Sequence, residues 1–385
     1  MIELAEIFRS AEPTYREAFG DRMLPSHTRV MGDILACRTP VLGGSLFACD
    51  DCGHLDFAYH SCCNRHCPKC YYGPTKLWLE GLRQRLLPCP YYFFTFTIPA
   101  ELRTLARSHQ NTVYDLLLRE AAAALQKLAN DPKWVGATLG ILAVLHTWSR
   151  DLSYHPHVHL LVTGGGLTEN GEAWRKPAHR HFLVPGYALS TIFRAKVRDA
   201  LDQAGLLDQV DPAVFRKPWN VHPQCAGDGE HAAEYLSRYV HRVALTNERI
   251  EAFENDHVTF RYIDSRTHQT RRLTLPVHTF IARFLQHVLP KGFQKIRAYG
   301  LFRPAATKPR ERARHLLQLG PALPPPSQTK LPRAAQQPVG ETPNLDSCPL
   351  CPSCRRGHLV LLRSLPRCLS LASHADTARA PPRES

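Results

Sequence analysis

The segment His155-Pro156-His157-Val158-His159 runs straight into Leu160-Leu161-Val162, and this alternation constrains the local fold more tightly than anything else in the chain. In an extended strand alternate side chains share a face. His157 and His159 therefore project together while Val158 turns toward a core. Two imidazoles about 7 Å apart at Cβ can grip one divalent ion, because neutral imidazole is a common metal ligand. His155 falls on the same face, and Pro156 confines this end to an edge or a strand start. A polar sheet face that is merely lined with histidine would give the same pattern, so the metal reading needs a second feature.

That feature is His231-Ala-Ala-Glu-Tyr-Leu-Ser-Arg-Tyr-Val-His-Arg242, which reads as a helix. Tyr235 and Tyr239 are four residues apart, so their hydroxyls lie one above the other on one helix face. Leu236, Val240 and Val243 already supply an apolar stripe beside them, while Arg238, His241 and Arg242 surround the pair with positive charge suited to a phosphate. A histidine-held cation together with a nucleophilic hydroxyl near basic side chains is a phosphoryl-transfer constellation.

Further motifs stand in order around these two. They are Cys49-Asp-Asp-Cys-Gly-His54, Ser61-Cys62 with Asn64-Arg-His-Cys-Pro-Lys-Cys70, Phe96-Thr-Ile-Pro99 with Leu102-Arg103, and Leu145-His-Thr147. Pro156-His-Val-His159, Tyr235-Leu-Ser-Arg-Tyr239 and Val288-Leu-Pro-Lys-Gly-Phe293 with Ile296-Arg297 and Tyr299-Gly300 follow. From about Cys37 to Phe302 the chain closely resembles the HUH-type (His-hydrophobic-His) transposases of the rolling-circle insertion sequence ninety-one family, the two-tyrosine kind. The resemblance implies an α+β catalytic fold of the HUH endonuclease type, similar to an RNA-recognition sandwich. It further implies a catalytic Mg2+ or Mn2+ and attack by Tyr235 or Tyr239 on single-stranded DNA at transposon ends and target. A 5′-phosphotyrosine and a free 3′-OH would result, with no small-molecule cofactor.

The third ligand of that ion is open between two histidines. His146 stands eleven residues before His157, a spacing seen in plasmid relaxases with three-histidine sites, and the family carries a block resembling His146-Thr147. His155 is on the right strand face, but the family often has asparagine there. His146 is preferred.

Cys49-x-x-Cys52 and Cys67-x-x-Cys70 are separated by fourteen residues, a spacing close to the zinc-finger range. Four thiolates make a closed tetrahedral site, which predicts a structural Zn2+ rather than a water-activating one. Cys37, Cys62 and His66 are further candidate ligands, able to serve a second zinc or to replace a primary one. Cys348-x-x-Cys351-x-x-Cys354 near the other end lacks a clear fourth ligand, with His358 and Cys368 as candidates.

Bulk properties agree. Lys plus Arg number 48 against 34 acidic residues, a formal net charge of +14 that favours a polyanionic partner. No apolar run reaches the roughly eighteen residues that a bilayer span needs, and Met1–Asp21 lacks a signal-peptide core. Clustered cysteines, 13 in all, suit reduced metal-binding thiols better than a secreted disulfide framework. The expected setting is the bacterial cytoplasm, associated with the nucleoid through DNA, with no membrane partner. Lys291 and Arg297 are candidate phosphate contacts beside Arg238 and Arg242.

The expected organisation is N-terminal helices and a zinc-binding module over 1–88, then a catalytic domain over 89–302 with an antiparallel sheet carrying helices on its face. A basic, proline-rich linker over 303–344 and a cysteine-containing, largely disordered tail over 345–385 complete it. Within this frame two helices break near Pro25, strands cover Tyr91–Thr97, Val135–His146 and His157–Val162, and Gly164–Gly166 turns the chain back. Thr259–Ile263 and Thr270–Leu275 form a hairpin before a helix at Thr279–Val288. A replication initiator or relaxase would share the core chemistry. A zinc-finger DNA binder without activity would leave the histidines and tyrosines unexplained, and an inactive remnant would keep the motifs without cleaving.

Overall fold

The computed structural model describes residues 1–70, 80–179, 182–227, 243–264, 267–317 and 349–368. The chain divides into two compact units, Met1–His27 with Tyr71–Pro326, and Thr28–Cys70 with Ser327–Ser385. The first helix, α1 (Leu4–Phe19), belongs with the larger unit. α1 carries Ile7 and Phe8 on a buried face. Phe8 meets Phe284 edge-on at 5.5 Å, and Leu4 donates its amide to Asn247 Oδ1 at 3.1 Å.

The larger unit is built on antiparallel β-structure. α2 (Pro25–Ala36) begins at the proline that fits a first helical turn. In the smaller unit β1 (Gly44–Cys49) and β2 (Leu55–Tyr59) form a hairpin, and β3 (Tyr91–Thr97) opens the main sheet. α3 (Arg103–Ser108) and α4 (Gln110–Ala129) follow, then the long hairpin of β4 (Thr138–Trp148) and β5 (Tyr154–Leu167). A short β6 (Trp174–Arg175) pairs with the end of β5. α5 (Gly186–Gln203) and β7 (Asn220–Gly227) come next. β8 (Ile250–Glu254), β9 (His257–Ile263) and β10 (Thr270–Pro276) make a separate three-stranded sheet, followed by α6 (Val277–Leu285). β11 (Ile296–Gly300) and α7 (Thr307–Leu316) complete the unit. The main sheet has the order β11-β4-β5-β3-β7, all antiparallel.

Strand alternation explains its two faces. Ala143, Leu145, Val158, Leu160, Phe94 and Phe96 pack beneath α4 and α5 in one apolar cluster. On the opposite face Leu142, Leu161 and Phe93 lie in register across the sheet and pack with Leu82, Phe302 and Ala313 of α7. Two residues further along the strands that same face turns polar, and the histidines begin.

The glycines Gly164–Gly166 lie inside β5 rather than in a turn. A Cβ there would stand 2.7 Å from Pro90 O at Gly164, 2.5 Å from Arg175 O at Gly165 and 2.5 Å from Thr138 O at Gly166. Their role is close backbone approach by both neighbours, a cause that a sequence reading takes for a turn.

Candidate metal and DNA-cleavage site

Cross-strand register builds the site. Val144, His159, Thr95 and His222 form one row across β4, β5, β3 and β7, and His146, His157, Thr97 and Asn220 form the next. Residues directly opposite in an antiparallel pair project to the same face, so both rows look out from the side where the apolar packing has ended. The three imidazoles of His146, His157 and His159 offer nitrogens that all lie within 4.8 Å of one another. Ring centroids are 4.8 Å apart for His146–His159 and His157–His159, and 5.5 Å for His146–His157.

Each ring is held in place. Trp148 stacks on His146 at 4.7 Å. His157 donates from Nδ1 to the carbonyl of His155 at 2.6 Å, which fixes its tautomer and leaves Nε2 as the atom able to ligate. Thr95 Oγ1 meets His159 Nδ1 at 3.1 Å, the kind of contact that orients a ligating imidazole. Burial pushes the pKa of His157 down to about 4, against the partial support of the His155 carbonyl, so the ring is neutral near pH 7. His155 itself takes a different role. Its Nδ1 accepts from Arg103 Nη2 at 2.7 Å, and it is not one of the three converging rings.

Three nitrogen donors on one side leave further coordination positions to water or phosphate oxygen. Neutral imidazole is a common metal ligand, so the three rings could hold one divalent ion there. The alternation of Thr95 and Thr97 within the aromatic strand Tyr91–Thr97 was a legible signal for the polar rows, and the reading from sequence passed over it. His222 and Asn220 carried no such signal, since only the pairing of β7 with β3 brings them there.

Tyr235, Tyr239, Arg238 and Arg242 lie outside the described residues. The other two basic candidates sit elsewhere. Arg297 pairs in register with Ala143, whose side chain packs under the helices, so Arg297 projects from the face opposite to the histidines. Its guanidinium is ion-paired with Asp115 and rests against the ring of Phe293. Together with Lys291 it lines a groove of about 800 Å³ between α4, the end of α5 and the 291–297 loop.

The smaller unit holds the cysteines, and it sorts them differently from their spacing. Cys67 and Cys70 converge with Cys37 and Cys62, whereas Cys49 and Cys52 converge with Cys351 and Cys354. The single site expected from Cys49, Cys52, Cys67 and Cys70 is therefore two clusters. A thiol pair joins whatever thiols the backbone brings to it, and the antiparallel return of β2 takes the chain away from the Cys49 turn before Cys62 is reached. His66 belongs to neither cluster, nor do His358 and Cys368. Sulfurs of the first cluster stand 3.4 Å apart for Cys37–Cys70 and 3.5 Å for Cys62–Cys70. Hydrogen bonding, chiefly from the Cys62 thiol, lowers the pKa of Cys67 to about 6 and makes it a ready thiolate.

Residues 7–98 match a family model described as a transposase zinc-binding domain, and residues 140–311 match a transposase family model. The Sinorhizobium fredii protein named "Putative transposase y4qJ" is 36% identical, and the match covers 94% of this chain and 94% of its own length. The transposase for insertion sequence element IS801 of Pseudomonas savastanoi pv. phaseolicola is 32% identical, covering 69% of this chain and 68% of its own. No solved structure matches. No helix among the described residues is long and apolar enough to cross a membrane.

Proposed function

Because this chain belongs to the IS91 family of transposases, we propose that it breaks and rejoins single-stranded DNA through covalent tyrosine intermediates in rolling-circle transposition. The observation that carries the reading is the convergence of His146, His157 and His159 on the polar face of the sheet. A Mn2+ or Mg2+ held there would polarise the scissile phosphate and offset the charge that builds on it.

The chain's own residues supply the rest. Tyr235 or Tyr239 attacks phosphorus through its phenolic oxygen, and the bond from phosphorus to the 3′ oxygen breaks. The tyrosine proton is lost to solvent and the 3′ oxygen leaves as a hydroxyl. The new phosphotyrosine ester keeps the energy of the bond it replaced, so rejoining needs no nucleotide cofactor. Two tyrosines let two strands be held, one from the donor end and one from the target. The sequence placement supports this, since residues 228–242 follow directly on β7, the strand that bears Asn220 and His222 beside the histidine rows. The charge of +14 favours the polyanionic substrate. The site of action is the cytoplasm, at the ends of the mobile element.

A 3′-labelled suicide oligonucleotide with Mn2+ tests the chemistry, because the 5′-phosphotyrosine keeps the 3′ part of the strand. Tyr235→Phe and Tyr239→Phe should each still form a covalent adduct, with strand transfer impaired, and the double variant should form none. Phenylalanine keeps the ring, so packing alone predicts little change. An adduct that persists in the double variant overturns the two-tyrosine mechanism.

A further inference from the structure

The sulfurs of Cys49 and Cys354 stand 3.7 Å apart, and those of Cys52 and Cys351 stand 3.8 Å apart. Four thiolates about 2.3 Å from a zinc ion in a tetrahedron stand about 3.8 Å from one another. Disulfides are excluded by the same numbers, since an S–S bond is about 2.05 Å. From this geometry we infer that Cys49, Cys52, Cys351 and Cys354 hold a second structural zinc, distinct from the Cys37–Cys70 cluster, which fastens the far end of the chain to its N-terminal hairpin.

The backbone around the four thiols is shaped for a metal. The amides of Asp51 and Cys52 both point to Cys49 Sγ at 3.4 Å, and the amide of Gly357 points to Cys354 Sγ at the same distance. Amides aimed at sulfur are what a thiolate needs to share its charge, and they occur here in both Cys-x-x-Cys turns. Gly53 and Arg355, each just after the second cysteine of its pair, take positive φ of 69° and 56° to close the turns. Gly357 admits the other strand, since a Cβ there would lie 2.6 Å from Cys49 Sγ and 2.6 Å from Asp50 Oδ1. His358 donates its amide to that same Asp50 Oδ1 at 2.7 Å, and Asp50 returns its amide to the His358 carbonyl at 3.1 Å.

A strand continues the clasp. β12 (Leu359–Leu365) pairs antiparallel with β1 from Cys49↔Leu359 to Gly44↔Leu365, so β1 becomes the central strand of three. Cys49, Cys351 and Leu359 bury together with Phe47 against them. Without β12, β1 would present an unpaired edge and two of the four ligands would be missing. The ligands that complete the site lie beyond both family matches, which end at residues 98 and 311. The smaller unit is therefore finished only by the last part of the chain, and a chain stopped before residue 345 keeps the Cys37–Cys70 cluster but loses this one.

Zinc content of the purified full-length protein, read by native mass spectrometry, tests the proposal independently of DNA cleavage. The intact chain should carry two zinc ions, and Cys351→Ser with Cys354→Ser should carry one. Cys37→Ser with Cys62→Ser should also carry one. Equal zinc in the intact chain and in the Cys351/Cys354 variant, at either one or two ions, overturns the proposal. Because a variant can misfold, thiol alkylation of the unmodified protein provides a second reading. Cys52 is exposed and Cys354 is only partly buried, so burial does not protect them. They should nevertheless react at least tenfold more slowly than the exposed Cys368, and reach its rate when a zinc chelator is added. Equal rates before chelation overturn the assignment.

Discussion

His146 on β4 stands directly opposite His157 on β5 in the antiparallel register, and the next pair along the same face sets Val144 against His159. The hairpin thus brings to one point a histidine that the sequence separates from the other two by eleven and thirteen positions. A one-residue slip of β5 would turn His157 and His159 to the helix-packed face and away from His146. The geometry of the histidine cluster and the core packing are specified by the same pairing.

This relationship ranks the histidines. His146→Ala, or His157→Ala with His159→Ala, should abolish metal-dependent cleavage of an oligonucleotide while leaving the circular dichroism spectrum unchanged. His155→Ala, which removes the Arg103 contact but no converging ring, should retain Mn2+ binding measured by calorimetry. Full cleavage by the His157/His159 variant would exclude the triad as the metal site.

A related expectation concerns the threonine behind His159. Thr95→Val keeps the volume and removes the hydroxyl that meets Nδ1 at 3.1 Å. Loss of such a supporting contact typically lowers metal affinity about 10- to 100-fold. Mn2+ titration of the variant measures it, and an unchanged affinity would show that Thr95 does not orient the ring.

Arg297 lies on the face of the sheet opposite to the histidines. Its side chain faces the helices and its charge is matched by Asp115, with Phe293 beneath it. Arg297→Ala should leave the salt slope of single-strand binding unchanged. Loss of a partly exposed ion pair should cost no more than about 1 kcal/mol of stability. A slope that falls by roughly 0.7, the value of one lost phosphate contact to a single strand, would place DNA in the groove beside α4 instead.

How much of this was legible beforehand depends on how local the signal was. The β5 strand, the β9–β10 hairpin and the early helices follow from periodicity within a few residues, and each is present with shifted ends. Gly164–Gly166 misled because a glycine needed for close approach and a glycine needed for a turn are the same letter. The cysteines misled for a different reason. Spacing favours neighbours in sequence, whereas Cys49 and Cys354 are joined by strand pairing across some three hundred residues, a contact that no local pattern encodes. Arg297 was read as a basic residue on a recognisable motif, but its side of the sheet is decided by β11 pairing with β4.

The last prediction concerns acid stability, which follows from a histidine outside the site. His287 is buried to 1% exposure, and its Nε2 donates to the Leu152 carbonyl at 3.2 Å while Nδ1 lies 3.4 Å from Thr147 Oγ1. Burial, aided by the charge of Arg107, pushes its pKa down to about 4, although the Leu152 hydrogen bond works the other way. In the unfolded chain the same ring titrates near 6.5. Above that value neither state binds the proton, and the native state has its full stability. As the pH falls from about 6.5 toward 4 only the unfolded chain takes up a proton, so stability declines across that window and levels off below it. The shift corresponds to a loss on the order of 3 kcal/mol at most. His27, lowered to about 4 mainly by burial, adds a loss of the same sign. Thermal unfolding of the protein at pH 7 and pH 5 should therefore show a drop in midpoint that is smaller in His287→Gln, which keeps a donor and an acceptor but cannot titrate. An equal drop in both proteins would show that His287 is not a source of the acid sensitivity.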